Sequence, residues 1–150
     1  MKNRTLIFLV ILLAGIIGFY SCEKDEGKDS VRDLMVNNIW AYDTLEVSDL
    51  TNAGLVIAAA FTHLVYENSE YDFNDNGTYT LTSDLVDEDG AWELVDNKTI
   101  IMDKGTDDEV ELEILEIDNT ILKLKLSVEG NFFGTPVSGD VILIFRAKQP

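Results

Sequence analysis

The chain predicts an all-β domain: an eight-stranded up-and-down antiparallel barrel with a helical segment between its first and second strands. Two observations carry this. From Asn38 onward, short runs of alternating apolar and polar residues recur between turn signals, the pattern of strands with one buried face. Three of the connections also hold an Asp-Asn pair, at Asp75-Asn76, Asp96-Asn97 and Asp118-Asn119. These residues tolerate the left-handed backbone of tight turns, so each pair marks one hairpin.

Strands are expected near 39–47, 70–74, 78–83, 91–95, 98–103, 109–117, 120–128 and 139–147. Between the first two, Leu55-Val56-Ile57-Ala58-Ala59-Ala60-Phe61 lacks a period of two, and Ser48, Asp49 or Thr51 can cap a helix, so one or two helical segments belong there. The clearest hairpin pairs Val110, Leu112 and Ile114 with Leu122, Leu124 and Leu126 on the buried face. Placing Leu112 opposite Leu124 sets Glu113 against Lys123 and Glu111 against Lys125, and requires an odd loop or a bulge near Leu115. Phe73, Tyr79, Trp92, Leu94 and Phe145 are core candidates. The last strand, Val141-Ile142-Leu143-Ile144-Phe145, is apolar on both faces, and pairing it with the first strand would remove both sheet edges.

Ahead of this domain, Lys2 and Arg4 precede the apolar run Leu6 to Phe19, with Ser21 just before Cys22, the single cysteine. The run is too short for a membrane span and reads as a secretory signal. Residues 1–21 are assigned as the signal peptide, 22–37 as a tether with Glu23 to Ser30 flexible, and 38–150 as the barrel domain. An ordinary cleaved signal would leave Cys22 an unpaired thiol. The whole chain holds 11 basic and 28 acidic residues, a net charge of -17, and phosphate backbones would be repelled, so nucleic acid is excluded as a partner.

Phe19-Tyr20-Ser21-Cys22 resembles a bacterial lipobox of the Bacteroidetes type, and Lys24, Asp25 and Glu26 resemble the export signal that sends such lipoproteins to the outside of the outer membrane. Trp40, the hairpin Phe73-Asn74-Asp75-Asn76-Gly77-Thr78-Tyr79 and Gly90-Ala91-Trp92 resemble the pattern of lipocalin-like (calycin) domains of such lipoproteins, over about residues 38–147. The resemblance implies a lipocalin-like barrel anchored by lipid on Cys22. It carries no ligand residues.

In a meander, alternate connections lie at opposite ends. The three Asp-Asn turns therefore share the end from which the tether emerges, and the helical segment with the loops 84–90, 104–108 and 130–136 shares the other. Long loops carry function more often than tight turns. The sequence thus predicts a mouth turned away from the membrane, with candidate contacts Asp84, Asp87, Glu88, Asp89, Phe132 and Phe133.

Site chemistry is sparse. Asp72 to Gly77 matches the opening of a calcium loop, but the twelfth position is Ser83 where a bidentate Glu is required, so a hairpin turn is expected and no metal site is assigned. The acidic stretch Asp84 to Asp89 reads as a solvated loop, with calcium held by its clustered carboxylates as the alternative. His63, the single histidine, rules out a multi-histidine zinc site and a triad with cysteine, and is placed on the helix as a surface or packing residue. The expected protein is a non-enzymatic, cofactor-free, surface-exposed outer-membrane lipoprotein. It would bind a small apolar or amphipathic ligand, or an envelope protein. The alternative is a structural or accessory lipoprotein whose barrel is filled and which acts through protein contacts. Interior volume separates the two.

Overall fold

The computed structural model describes residues 30–148. The expected signal peptide 1–21, Cys22, the expected export residues Lys24, Asp25 and Glu26, and the expected tether as far as residue 29 lie outside the described residues. Within them, eight antiparallel strands follow in sequence and close into a barrel. They are β1 (Ile39–Val47), β2 (Glu70–Phe73), β3 (Thr78–Thr82), β4 (Asp87–Val95), β5 (Thr99–Met102), β6 (Val110–Ile117), β7 (Ile121–Phe132) and β8 (Thr135–Ala147). Helix α1 (Val31–Val36) precedes β1, and α2 (Ala53–Tyr66) lies between β1 and β2, as expected. β8 closes on β1, from Trp40 opposite Ala147 to Val47 opposite Val141, so the last strand finds the neighbour its two apolar faces demand.

The buried face is continuous. Trp40, Phe73, Tyr79, Leu81, Trp92, Ile100, Leu112, Leu122, Leu124 and Phe145 all point into one core, while Leu94 is half-buried. The alternate residues, such as Asp72, Glu111, Glu113 and Lys125, face outward. An apolar inside with a charged outside is the inverse of a barrel that faces lipid through its strands.

The structure corrects four details. Val31–Val36, expected as tether, form a helix capped by Ser30, whose hydroxyl accepts from Asp33 N while the Asp33 carboxylate accepts from Ser30 N. Met35 is fully buried, and its carbonyl accepts from Trp40 Nε1 at 3.2 Å, so the folded unit starts before Asn38. Asp87, Glu88 and Asp89, expected in a loop, begin β4 opposite Thr82, Leu81 and Thr80. Their acidity masks the alternation, yet the Thr80 hydroxyl donates to Asp89 at 2.9 Å on the outer face. The expected loop 130–136 is instead the tip of a long ribbon, with β7 and β8 paired out to Phe132 and Thr135 and only Phe133-Gly134 between them. Both residues have positive φ, 49° and 82°, the backbone of a two-residue hairpin turn. Last, the bulge at Leu115 is present, but it sits above a register two residues from the expected one: Ile114 faces Leu124, Glu113 faces Lys125 and Glu116 faces Lys123. Both lysines bond these glutamates, Lys123 to Glu116 at 2.6 Å.

Candidate functional site

The strand order places α1, the Asp-Asn turns and the end of β8 at one end, called the base. Helix α2, the loop Ser83 to Val86, the loop Asp103 to Glu109 and the ribbon tip lie at the other, called the mouth. The base is closed. Arg32 of α1 bonds Asp75 through Nε at 2.9 Å and its carbonyl through Nη2 at 2.7 Å, with its guanidinium 5.1 Å from the centre of the Trp92 ring. Trp92 Nε1 donates to Asn74 O at 3.0 Å. Phe73 lies edge-on to Trp92 and stacks on Tyr71. The void left among Trp40, Phe73, Leu122 and Phe145 is about 10 Å³, room for one water at most. The lower barrel is therefore filled by side chains.

Above this layer the barrel opens into a cleft of about 440 Å³. Its floor consists of Tyr71, Met102, Leu112 and Leu143, the same residues that cap the void below. Tyr66 of α2 and Tyr79 of β3 form aromatic walls, and the rim is Glu88, Asp103, Asp107, Asp108 and Glu109. No lysine, arginine or histidine lines it among the described residues. Lys104, which follows Asp103 in the chain, turns away to bond Glu93 at 2.8 Å on the outer face.

One corner of the cleft is built with particular care. The Tyr79 hydroxyl donates to Asp103 at 2.6 Å and lies 3.2 Å from Glu88 Oε1. Asp103 has φ 51°, and its other carboxylate oxygen accepts from Ala91 N at 2.9 Å. Room for this arrangement comes from Gly90, where a Cβ would stand 2.4 Å from both Asp103 Oδ1 and Tyr79 Cε1. The Gly90-Ala91-Trp92 motif thus has two ends: the tryptophan packs on the closed side, and the glycine admits a tyrosine–aspartate bond at the mouth. Burial, then the bond to Asp103, raises the Tyr79 pKa, so the phenol stays protonated and keeps donating. Tyr71 is 8 % exposed, and burial, ahead of the nearby Tyr66 hydroxyl, raises its pKa well above 10. Its ring stacks on that of Tyr66, and the two hydroxyls lie side by side.

Helix α2 roofs one side of the mouth. Its N-terminus is capped by Asn52, which accepts from Leu55 N and donates to Ser138 O, both at 3.0 Å. Gly54 lets the helix touch the ribbon, since a Cβ there would stand 2.3 Å from Pro136 O. His63 lies on this helix and hydrogen-bonds the Tyr42 hydroxyl at 2.9 Å. Further round the barrel, β6 and β7 pair only from Glu113 and Lys125 toward the base. A second gap of about 420 Å³ opens between them and shares Glu109, Val110 and Leu126 with the cleft, so the mouth also opens sideways.

Of the six contacts named from sequence, Glu88 alone lines the cleft. Asp84 accepts from Asn68 Nδ2 at 3.1 Å in a surface loop, and Asp87 and Asp89 face outward. Phe132 packs against Phe61 of α2, with ring centres 5.7 Å apart, and Phe133 stands 86 % exposed at the ribbon tip. All six lie at the mouth end, but the structure does not bring them to one point. Sequence reasoning passed over Asp103, Asp107, Asp108 and Glu109, as well as the tyrosine walls. Alternation within a strand could have found Tyr71 and Tyr79 as inward residues near the mouth. The descent of the 103–109 loop onto the cleft has no sequence signal. Among the described residues no group of acids, histidine or cysteine is arranged to hold a metal ion. Asp75-Asn76-Gly77 makes the expected hairpin turn, with Asn74 N donating to Thr78 O at 2.8 Å.

Comparison with protein families, curated proteins and solved structures finds no match to this chain.

Proposed function

We propose that this protein is a lipid-anchored, surface-exposed binding module of the outer membrane, non-enzymatic, that takes a small amphipathic ligand at the mouth of a lipocalin-like barrel. The observation that carries the reading is the unequal filling of the barrel: about 10 Å³ of void below and a cleft of about 440 Å³ above, the size of a small-molecule site. An apolar ligand sealed deep in the barrel has no room, so the ligand sits at the mouth with part of its surface in water. The purely structural reading of a wholly filled core fits the base and not the mouth.

The anchoring half of the proposal rests on the sequence around Cys22. Two or more acyl chains hold a protein stably, at about 0.8 kcal/mol per buried methylene. With the tether joined to α1 at the base, the cleft faces away from the lipid. Replacing Cys22 with Ser should release the protein from the membrane fraction; retention there would end the anchoring proposal. For binding, the purified protein would be examined by native mass spectrometry for co-purified small molecules and by thermal shift against an amphiphile panel. Val110→Trp, which would fill the cleft from its wall, should abolish any stabilisation observed. Stabilisation that survives Val110→Trp would place the ligand elsewhere.

A further inference from the structure

The cleft has a distinct chemical asymmetry, and from it we infer the class of ligand: an amphipathic amine, whose apolar or aromatic body lies on the tyrosine-walled floor and whose ammonium sits beside Glu88 and Asp103. This inference rests on the cleft being the ligand site and adds the sign of the ligand's charge.

Three independent features support it. The charged groups lining the cleft are carboxylates, and the nearby lysines are engaged elsewhere, Lys104 turned outward onto Glu93 and Lys125 of the side gap bonded to Glu113. An anionic ligand would find no partner and would meet like charge. Glu88 and Asp103 are also held in place before any ligand arrives. Both flank the Tyr79 hydroxyl, and Asp103 is fixed further by the Ala91 amide in the space left by Gly90. Preorganised acceptors do not have to be ordered when a cation binds. The floor, finally, is aromatic where a cation with an organic body needs it. Tyr66, Tyr71 and Tyr79 line it, with the Tyr66 and Tyr71 rings stacked at 24° to one another, an aromatic surface for the ligand's organic body. Tyr71, more than nine-tenths buried, brings its hydroxyl to the cleft beside that of Tyr66, and a phenol oxygen has lone pairs able to accept from an ammonium N–H. A bare metal ion is a poorer fit, because the described carboxylates do not converge on a coordination centre.

The test uses three probes with one body and different heads: phenethylammonium, phenethyl alcohol and phenylacetate. Each is titrated into the purified protein by calorimetry at low and at physiological salt. The ammonium should bind about tenfold more tightly than the alcohol, the worth of one good charge-assisted contact, and phenylacetate should not bind. Glu88→Gln keeps an acceptor for Tyr79 and removes the charge. It should weaken the ammonium several-fold and leave the alcohol unchanged, and added salt should weaken the ammonium in the same sense. Equal affinity for ammonium and alcohol, or ammonium binding indifferent to Glu88→Gln, would overturn the charge assignment while the cleft stands if Val110→Trp still abolishes binding. Binding of phenylacetate alone would overturn it outright. Failure of all three probes, together with a broad panel that gives no shift sensitive to Val110→Trp, would remove the cleft as a ligand site altogether.

Discussion

The two ends of this barrel are built from the same kinds of residue and solve opposite problems. At the base, Trp40, Phe73, Trp92 and Phe145 meet beneath a helix that contributes Met35, and tight turns leave almost no void. At the mouth, tyrosines stand where phenylalanine and tryptophan stand below, the loops lengthen, and β6 parts from β7. A phenol carries an aromatic ring into a wall and leaves a hydroxyl for a polar neighbour. The difference teaches that stability and binding are segregated along the barrel axis. Substitutions at the base should be read in unfolding free energy and substitutions at the mouth in ligand affinity.

The largest effect that segregation predicts belongs to Trp40. Truncation to Ala removes a fully buried indole and its bond to the Met35 carbonyl, and should lower unfolding free energy by about 3 to 5 kcal/mol in a denaturant titration. Met35→Ala tests the helix that the sequence left in the tether. If α1 is part of the fold, the loss is about 2 to 3 kcal/mol, since a fully buried thioether side chain is removed. A change below about 0.5 kcal/mol, the range of ordinary surface substitutions, would mean that α1 merely rests on the barrel.

Gly90 lies on the boundary between the two ends. A methyl group there collides with the Tyr79 ring and the Asp103 carboxylate, so Gly90→Ala should cost about 1 to 3 kcal/mol and should also disorder the acidic corner. Its signature is therefore double, with lower stability and weaker phenethylammonium binding together, whereas Trp40→Ala at a temperature where the protein stays folded should leave affinity unchanged. A Gly90→Ala protein of full affinity would show that the Tyr79–Asp103 bond does not shape the cleft.

This boundary also marks where the sequence was legible. The barrel, its strand order and the α2 position follow from alternation and from Asp-Asn turns, because those signals are local and repeat along the chain. Residues whose roles depend on distant partners were not legible. Met35 looks like tether until Trp40 folds over it. Asp87 to Asp89 look like loop because the outer face of β4 needs no apolar residue. The β6–β7 register slipped by two because the hairpin alternation is satisfied by either pairing; the partners chosen by Lys123 and Lys125, Glu116 and Glu113, become visible only once the bulge at Leu115 is placed. Asp103 reaches Tyr79 across 24 residues of sequence, a distance over which no pattern speaks.

The tyrosines give a smaller prediction, set by pH. Burial raises the phenol pKa values of Tyr71 and Tyr79 above 10, and that of Tyr42 to about 12. A folded-state pKa above the unfolded one contributes stability that is complete below the unfolded value, near 10, and is lost as pH rises through the folded value. Stability should therefore be level with respect to these groups up to about pH 10 and fall steadily above it. An ultraviolet titration of phenolate should show Tyr42 ionising near pH 12 and Tyr71 and Tyr79 ionising only with unfolding. Early ionisation of Tyr79, while the protein stays folded, would mean that its bond to Asp103 does not persist in solution.

The smallest effect lies at the opposite end and in the opposite pH direction. Asp33 closes the capping box of α1, and its pKa is lowered chiefly by the Ser30 hydroxyl and next by the Ser30 amide. A depressed carboxylate contributes stability above its unfolded pKa, near 3.9, and loses it as pH falls through the folded value. Acid should thus loosen the cap of α1 and the β6–β7 turn, where the Thr120 hydroxyl likewise holds Asp118 low, while the apolar core stays closed. The protection of Leu34 to Val36 against amide exchange, relative to their intrinsic rates, should fall below about pH 4, and Asp33→Asn should produce the same loss at neutral pH without altering protection in β3 or β4. A loss spread equally over all eight strands would mean that α1 and the barrel open as one cooperative unit, and the base could then no longer be treated as a plug distinct from the strands it covers.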